Sequence, residues 1–331
     1  MSATHPTATE PRERVLDALR TGERFVLLTH EHPDGDALGS LTAMHGILSA
    51  LGKDALMFVS SAEFPLPYEY RWMDLAGVTS DVPDDVEGRT IVFLDCGNID
   101  RNPVEAFRRE GAEILNIDHH HDNTRFGTVN LVVEDASCTA EIVWDLMRSL
   151  GVAPTREIAE SLYVGLITDT GRFMYENTGA VAHVMAAELI EAGVDVTRIY
   201  RRIYEGWPEP KLRLFALALT RTSRYCGGAL TMTQLSAEDF RQTGAEESYT
   251  EGIVDRLRAV DGTKVAVLAR ELLDGSGRWK VSLRSADGDV DVSVISRAGG
   301  GGGHKAAAGF STALSPAELV SFLRDQTAAQ L

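Results

Sequence analysis

The sequence predicts an α/β protein: an N-terminal, mostly parallel sheet flanked by helices, a helical linker, and a smaller C-terminal α/β domain with a mixed sheet. Three observations carry this expectation. Short uninterrupted apolar runs alternate with longer segments of helical periodicity, the pattern of strands buried on both faces. Several of those runs end directly in Asp- and His-rich segments, as at the carboxyl ends of parallel strands. The pattern breaks at Trp207-Pro208-Glu209-Pro210 and resumes with a different rhythm. A chain of 331 residues has room for two domains, placed at 12–205 and 224–331 with 206–223 as the linker.

The elements follow in order. Arg12–Leu19 reads as an opening helix, and Phe25-Val26-Leu27-Leu28 as a buried strand that runs into His30. Leu38, Leu41, Met44, Leu48 and Leu51 recur at helical spacing, with Gly52 suited to the helix end. Ala55–Val59, Ile91–Leu94 and Glu113–Ile117 are further strands, the last two followed by Asp95 and Asp118. Ile142, Leu146, Met147 and Leu150 mark a helix, and Leu162–Ile167 is the end of another that delivers Asp169. Lys211–Thr222 is the linker helix, and Arg224–Gly228 a turn into the second domain. That domain has strands at Leu230–Thr233, Lys264–Ala269 and Arg278–Leu283, and closes with a strand end and a helix over Ser311–Gln330.

Composition narrows the function. The formal net charge of −17 argues against general attraction to long nucleic acid, and leaves room for a short phosphorylated substrate. No apolar run reaches membrane-spanning length, and the polar stretch Met1–Pro11 does not read as a secretory leader. Three well-separated cysteines, Cys96, Cys138 and Cys226, favour a reducing compartment, hence a cytoplasmic location.

Chemistry concentrates in four segments: His30–Asp36, Asp95, Asp118-His119-His120-His121 and Asp169. Five of the nine histidines lie in the first and third. Carboxylates and imidazoles gathered in this way suit divalent metals, and a metal pair suits phosphate chemistry. In an extended loop Asp34 and Asp36 project to one side and could serve neighbouring ions. The plain alternative makes Asp34-Gly35 a turn and Asp36 a helix cap. Asp95 and Asp169 each admit a capping role, and the three histidines admit a solvated surface run. Spacing alone does not say which histidine would ligate and which would face substrate. The glycine run Gly299–Gly303, followed by His304 and Lys305, reads either as a flexible linker or as a backbone approached closely by a phosphate. Arg284 lies on or just after the strand before it.

Together these motifs resemble the DHH phosphoesterase superfamily and its C-terminal DHH-associated domain, whose Gly-Gly-Gly-His signature appears as Gly301–His304. The resemblance spans about Arg12 to beyond Ser311 and lies nearest the bacterial oligoribonuclease and 3′-phosphoadenosine-5′-phosphate phosphatase group. It implies a DHH domain with a metal site and a DHH-associated substrate-binding domain. His30, Asp34 and Asp95 would hold one cation. Asp36, Asp95, His119 and Asp169 would hold the other, with Asp95 bridging. His120 would face the substrate phosphate or assist proton transfer, and Asp118 would orient the histidines. Arg284, Gly300, Gly301, Gly302, Gly303 and His304 would grip a substrate phosphate. Two divalent cations are implied, manganese (Mn2+) first and magnesium (Mg2+) as a substitute.

The implied activity is hydrolysis of short oligoribonucleotides to mononucleotides and of 3′-phosphoadenosine-5′-phosphate to AMP. Long duplexes are not expected as partners, and a homodimer is left open. Three alternatives stand beside this: a cyclic-dinucleotide phosphodiesterase, an inorganic pyrophosphatase, and a non-catalytic relative. His32 and His121 fall outside the family pattern, and their roles are open.

Overall fold

The computed structural model describes residues 9–73, 75, 77–102 and 104–331. It divides into two compact units, 1–205 and 206–331.

The first unit is built on β1 (Arg24–Leu28), β2 (Asp54–Phe58), β3 (Val78–Thr79), β4 (Thr90–Leu94), β5 (Ile114–Asp118) and β6 (Val129–Val132). All pairings are parallel, in the order β3-β2-β1-β4-β5-β6. The helices are α1 (Thr9–Thr21), α2 (Gly35–Ala50), α3 (Thr139–Ser149), α4 (Arg156–Asp169), α5 (Ala180–Glu191) and α6 (Val196–Tyr204). The apolar strand runs are continuous because successive side chains enter opposite cores. Phe25, Leu27, Val92, Leu94, Leu115 and Ile117 pack with residues of all six helices. Val26, Leu28, Ile91, Phe93 and Ile114 pack on the other face around Phe58 and Phe107. That second face is covered by short 3-10 turns, such as Glu105–Arg108, where a regular layer of helices would be the simpler expectation.

The strand order carries functional information. The chain runs outward from β1 to β3, then returns so that β4 pairs with β1. In an open parallel sheet such a reversal leaves a crevice at the carboxyl ends of the two strands. The residues just past β1 and β4 are Thr29-His30 and Asp95.

The second unit opens with α7 (Glu209–Thr220), so the segment expected as a linker holds a helix, and this helix packs against elements of its own unit. A mixed sheet follows in the order β11-β12-β10-β9-β8-β7, from β7 (Ser223–Tyr225), β8 (Leu230–Leu235), β9 (Val265–Glu271), β10 (Trp279–Ser285), β11 (Gly302–Gly303) and β12 (Ala307–Thr312). Only β8 and β9 pair in parallel. Four helices complete it: α8 (Ala237–Thr243), α9 (Ile253–Arg258), α10 (Val292–Ala298) and α11 (Pro316–Ala328). Val267, Val281, Leu283, Ile295, Phe310 and Leu323 share its core.

Candidate metal centre

Four elements deliver the Asp and His side chains to one end of the parallel sheet. His30 follows β1 and is 5% exposed. Its Nδ1 lies 2.7 Å from the Glu31 carbonyl oxygen and 2.9 Å from Arg101 Nη2, which turns Nε2 towards Asp95 Oδ2 at 3.6 Å. Burial lowers the His30 pKa, but the facing Asp95 outweighs this and raises it.

Asp34 and Asp36 do not lie in an extended loop. Asp34 is the N-cap of α2, its Oδ1 accepting from the backbone N–H of Asp36 and Ala37 at 3.0 and 3.1 Å. Asp36 stands in the first helical turn, where a two-residue step of about 200° sends its side chain the other way. The two carboxylates therefore join different groups. Asp36 is buried, and its two oxygens accept from the backbone N–H of Thr139 and Ala140 at 2.6 and 2.9 Å. These are the first N–H groups of α3, whose N-cap Cys138 makes no side-chain capping bond. A carboxylate from α2 thus caps α3.

Asp95 follows β4 in the left-handed region at φ 58°. A non-glycine residue there costs about 1–3 kcal/mol, and surrounding bonds hold it. Its backbone N–H donates to the Ile117 carbonyl at 3.1 Å, and Thr139 Oγ1 donates to Asp95 Oδ1 at 2.9 Å. Burial raises its pKa, but His30, His120 and His119 hold it below the usual carboxylate range. Asp118, the last residue of β5, is fully buried. Its Oδ1 meets His120 Nδ1 at 2.8 Å, and its Oδ2 accepts from Asn123 Nδ2 at 2.5 Å. Burial lowers the His120 pKa, and Asp118 and Asp95 more than reverse that, bringing it to about 9. His119 Nε2 lies 3.7 Å from Asp95 Oδ1 and 3.6 Å from Asp169 Oδ2. Asp169 is the last residue of α4; burial and the neighbouring carboxylates push its pKa up to about 7.

Among the described residues three donor groups result, each with ligating atoms within 4.8 Å of one another: His30, Asp34 and Asp95; Asp36, His119 and Asp169; Asp95, His119 and His120. The first holds the residues expected for one cation. The expected second set is reached through His119, which lies near both Asp95 and Asp169. The chemistry of this donor set fits divalent cations. Its oxygen and imidazole ligands suit such ions, and Asp36 and Asp169 are held neutral-leaning by burial and by the charges of Asp95 and Asp34, a repulsion a cation would relieve. His32 and His121 are exposed and belong to none of the three groups; His32 instead meets Glu63.

Thr139, Asn123 and Arg101 complete the arrangement and went unread in the sequence. Asn123 carries a weak signal, since Asp122-Asn123 is a turn pair. Thr139 carries none, because it stands 44 residues from the carboxylate it touches.

In the second unit, Arg284 lies on β10 opposite Ala307 of β12. The glycine run is ordered backbone and not a linker. Gly299 caps α10, Gly300 is left-handed at φ 82°, and Gly302–Gly303 pair with Gly309–Ala308 as β11. A Cβ on Gly301 would lie 2.2 Å from the Gly309 carbonyl oxygen. His304 and Ala307 close a tight turn through bonds of 2.8 and 3.2 Å.

A parallel sheet with a donor cluster at its reversal point, followed in sequence by a mixed sheet with a glycine-histidine hairpin, defines a class. Residues 24–166 match the N-terminal domain of the DHH family and residues 230–328 match the DHHA1 domain, and the chain belongs to this family of phosphoesterases. Among individual relatives, it is 35% identical over 314 residues to the bifunctional oligoribonuclease and PAP phosphatase NrnA of Thermus thermophilus, covering 93% of this chain and 90% of that one. It is 26% identical to the protein of the same description from Bacillus subtilis, covering 87% and 89%. In fold it is similar to an exopolyphosphatase-related protein from Bacteroides fragilis, at TM-score 0.89, 23% identity and 98% coverage of both chains. It is also similar to an exonuclease RecJ structure bound to manganese, at TM-score 0.56 and 18% identity, covering 100% of this chain and 96% of that one.

Proposed function

We propose that this chain hydrolyses di- to pentanucleotides of RNA to mononucleotides, and 3′-phosphoadenosine-5′-phosphate to AMP, with two divalent cations, manganese first. The observation that supports this best is the Asp95 carboxylate, buried and facing His30, His119 and His120 at 3.6–3.7 Å. The similarity to the two NrnA proteins supports the choice of nucleotide.

His30, Asp34 and Asp95 would hold one cation, and Asp36, Asp95, His119 and Asp169 the other. When bound, such ions polarise a phosphoryl oxygen and lower the pKa of water. The chain's own groups position and transfer protons. Thr139 Oγ1 and the left-handed backbone aim Asp95, and the α3 N–H groups aim Asp36. Asp118 fixes the His120 imidazole through Nδ1, leaving Nε2 to face the substrate phosphate and give a proton to the departing oxygen. In the second unit Arg284, the backbone of Gly300–Gly303 and His304 are assigned to a substrate phosphate. Cys96 and Cys138 are buried and all three cysteines are free, which supports a cytoplasmic location. Among the described residues no helix is long and apolar enough to cross a membrane.

A panel assay with manganese tests the reading: a 5′-phosphorylated dinucleotide, a longer RNA, 3′-phosphoadenosine-5′-phosphate, a cyclic dinucleotide and pyrophosphate. The dinucleotide and the bisphosphate should be the better substrates. Asp95→Ala or Asp169→Ala should abolish their hydrolysis in a protein with an unchanged circular dichroism spectrum. Preference for pyrophosphate, or full activity in either variant, would overturn the assignment.

A further inference from the structure

We infer that Tyr175 is a stacking platform for a nucleobase of the substrate, carried by the loop that follows Asp169. The inference rests on the nucleotide reading proposed above and names a residue that holds the base.

The loop departs from Asp169 and returns to it. Asn177 Nδ2 lies 3.1 Å from the Asp169 carbonyl oxygen and 3.3 Å from its Oδ2, and also donates to the Ser137 carbonyl at 2.8 Å. Residues 170–176 are thus an excursion whose two ends meet at one of the site carboxylates.

Its interior is tightly tied. The Thr170 carbonyl accepts from Met174 and Tyr175 at 2.9 and 3.0 Å, and the Arg172 N–H donates to the Ile167 carbonyl at 2.8 Å. Thr170 Oγ1 accepts from the Phe173 N–H at 3.2 Å. Gly171, Arg172 and Phe173 are all left-handed, at φ 54°, 65° and 64°. Two consecutive non-glycine residues in this region are costly, and such strain persists only where surrounding bonds impose it.

The loop sorts its side chains. Phe173 turns inward and stacks on His183, with ring centroids 5.1 Å apart. Met174 and Tyr175 turn outward, 80% and 53% exposed. Two large apolar groups held open on a rigid stalk lose hydration on contact with a flat partner at little ordering cost.

The tyrosine ring has a built seat. A Cβ on Gly171 would lie 2.4–2.6 Å from Tyr175 Cζ, Cε1 and Cε2, so the ring lies directly on the bare glycine backbone. One side of the ring rests on this backbone, and the residue keeps 53% of its surface exposed. Every nucleobase has a π-face, so such a ring accepts bases without regard to sequence. The loop that carries the ring leaves Asp169 and is tied back to it by Asn177, so a stacked base would rest on the loop that holds a site carboxylate.

The test uses the full-length protein with manganese and three substrates: a 5′-phosphorylated dinucleotide and two analogues, each lacking one base. Tyr175→Ala should raise KM for the intact dinucleotide about five- to a hundredfold, with kcat changed by no more than about twofold. Tyr175→Phe should keep the wild-type KM. On one of the two analogues Tyr175→Ala and wild type should have equal KM, because the partner of the ring is already gone. An equal rise on all three substrates, a fall in kcat alone, or no change overturns the inference. A wild type inactive on dinucleotides removes the nucleotide reading itself, and this inference with it.

Discussion

Replacing Gly165 with alanine tests the close packing that assembles the site. Gly165 lies within α4, facing α2 and α3. A Cβ there would stand 2.7 Å from Ala140 Cβ and 2.7 Å from Asp36 Oδ1, against an ordinary carbon contact of about 3.5–4.0 Å. Three helices must part by roughly 1 Å, an overpacking that costs about 1–3 kcal/mol. The displaced oxygen is the one that accepts from the Ala140 N–H, and leaving that buried donor unpaired adds about 1–3 kcal/mol. Against this stands the better helix propensity of alanine, about 1 kcal/mol. The net expectation is a destabilisation of about 1–5 kcal/mol, together with weaker manganese binding because Asp36 has moved. Urea unfolding followed by circular dichroism reads the first effect, and titration calorimetry with manganese the second. Gly179→Ala is the control, since nothing lies within 4 Å of its Cβ position and its φ is −93°. If Gly165→Ala instead stabilises by the propensity gain alone and binds manganese as wild type does, the three-helix contact around Asp36 is wrong.

Chelation should lower the unfolding temperature, and manganese at a hundred times its Kd should restore about 2.7 kcal/mol of stability, read by thermal melts with and without the ion. Asn123→Ala should reduce kcat by about tenfold with little change in manganese affinity, because Asn123 meets the donor set through Asp118, which it holds against His120; equal loss of both would contradict this. Asp239→Asn should destabilise at neutral pH by about 1 kcal/mol. Burial raises the Asp239 pKa, but bonds from Ser236 and Arg221 outweigh it and hold the carboxylate below its ordinary value. That stability is present above the unfolded pKa of 3.8 and is lost as pH falls through the folded one, so the difference between variant and wild type should close in acid. A gap that persists at low pH in urea melts would refute the assignment.

The parts of the site written in the sequence are those where a side chain ends an apolar run. His30, Asp95 and Asp118 are legible because β1 and β4 end in continuous apolar runs and β5 is apolar but for Asn116, and the residue that ends such a strand has few places to go. What stayed hidden depends on neighbours created by the fold. Thr139 reaches Asp95 only because β6 and α3 return the chain to the end of β4. The split of Asp34 and Asp36 into two groups required knowing that α2 starts at Gly35, which turns a same-side pair into an opposed one. The short edge strands Val78–Thr79 and Val129–Val132 gave too few residues to show a period. The glycine run was ambiguous in sequence because a linker and a crowded hairpin both call for glycine; the 2.2 Å approach at Gly301 is what separates them.

Asp36 ties stability and metal chemistry together. Its carboxylate is the cap that α3 lacks in its own sequence, since Cys138 makes no side-chain bond at that position. The same carboxylate closes a donor group with His119 and Asp169. The two backbone N–H bonds to its oxygens do not depend on a cation. The arrangement therefore keeps a buried carboxylate aimed at the centre by forces independent of the ion, and it makes the geometry around Asp36 a consequence of how α2, α3 and α4 pack. The left-handed Asp95 is held in the same way, by a backbone bond to β5 and a hydroxyl from α3. The scaffold sets these carboxylates, so a cation would meet them already in place and its binding energy need not fold them.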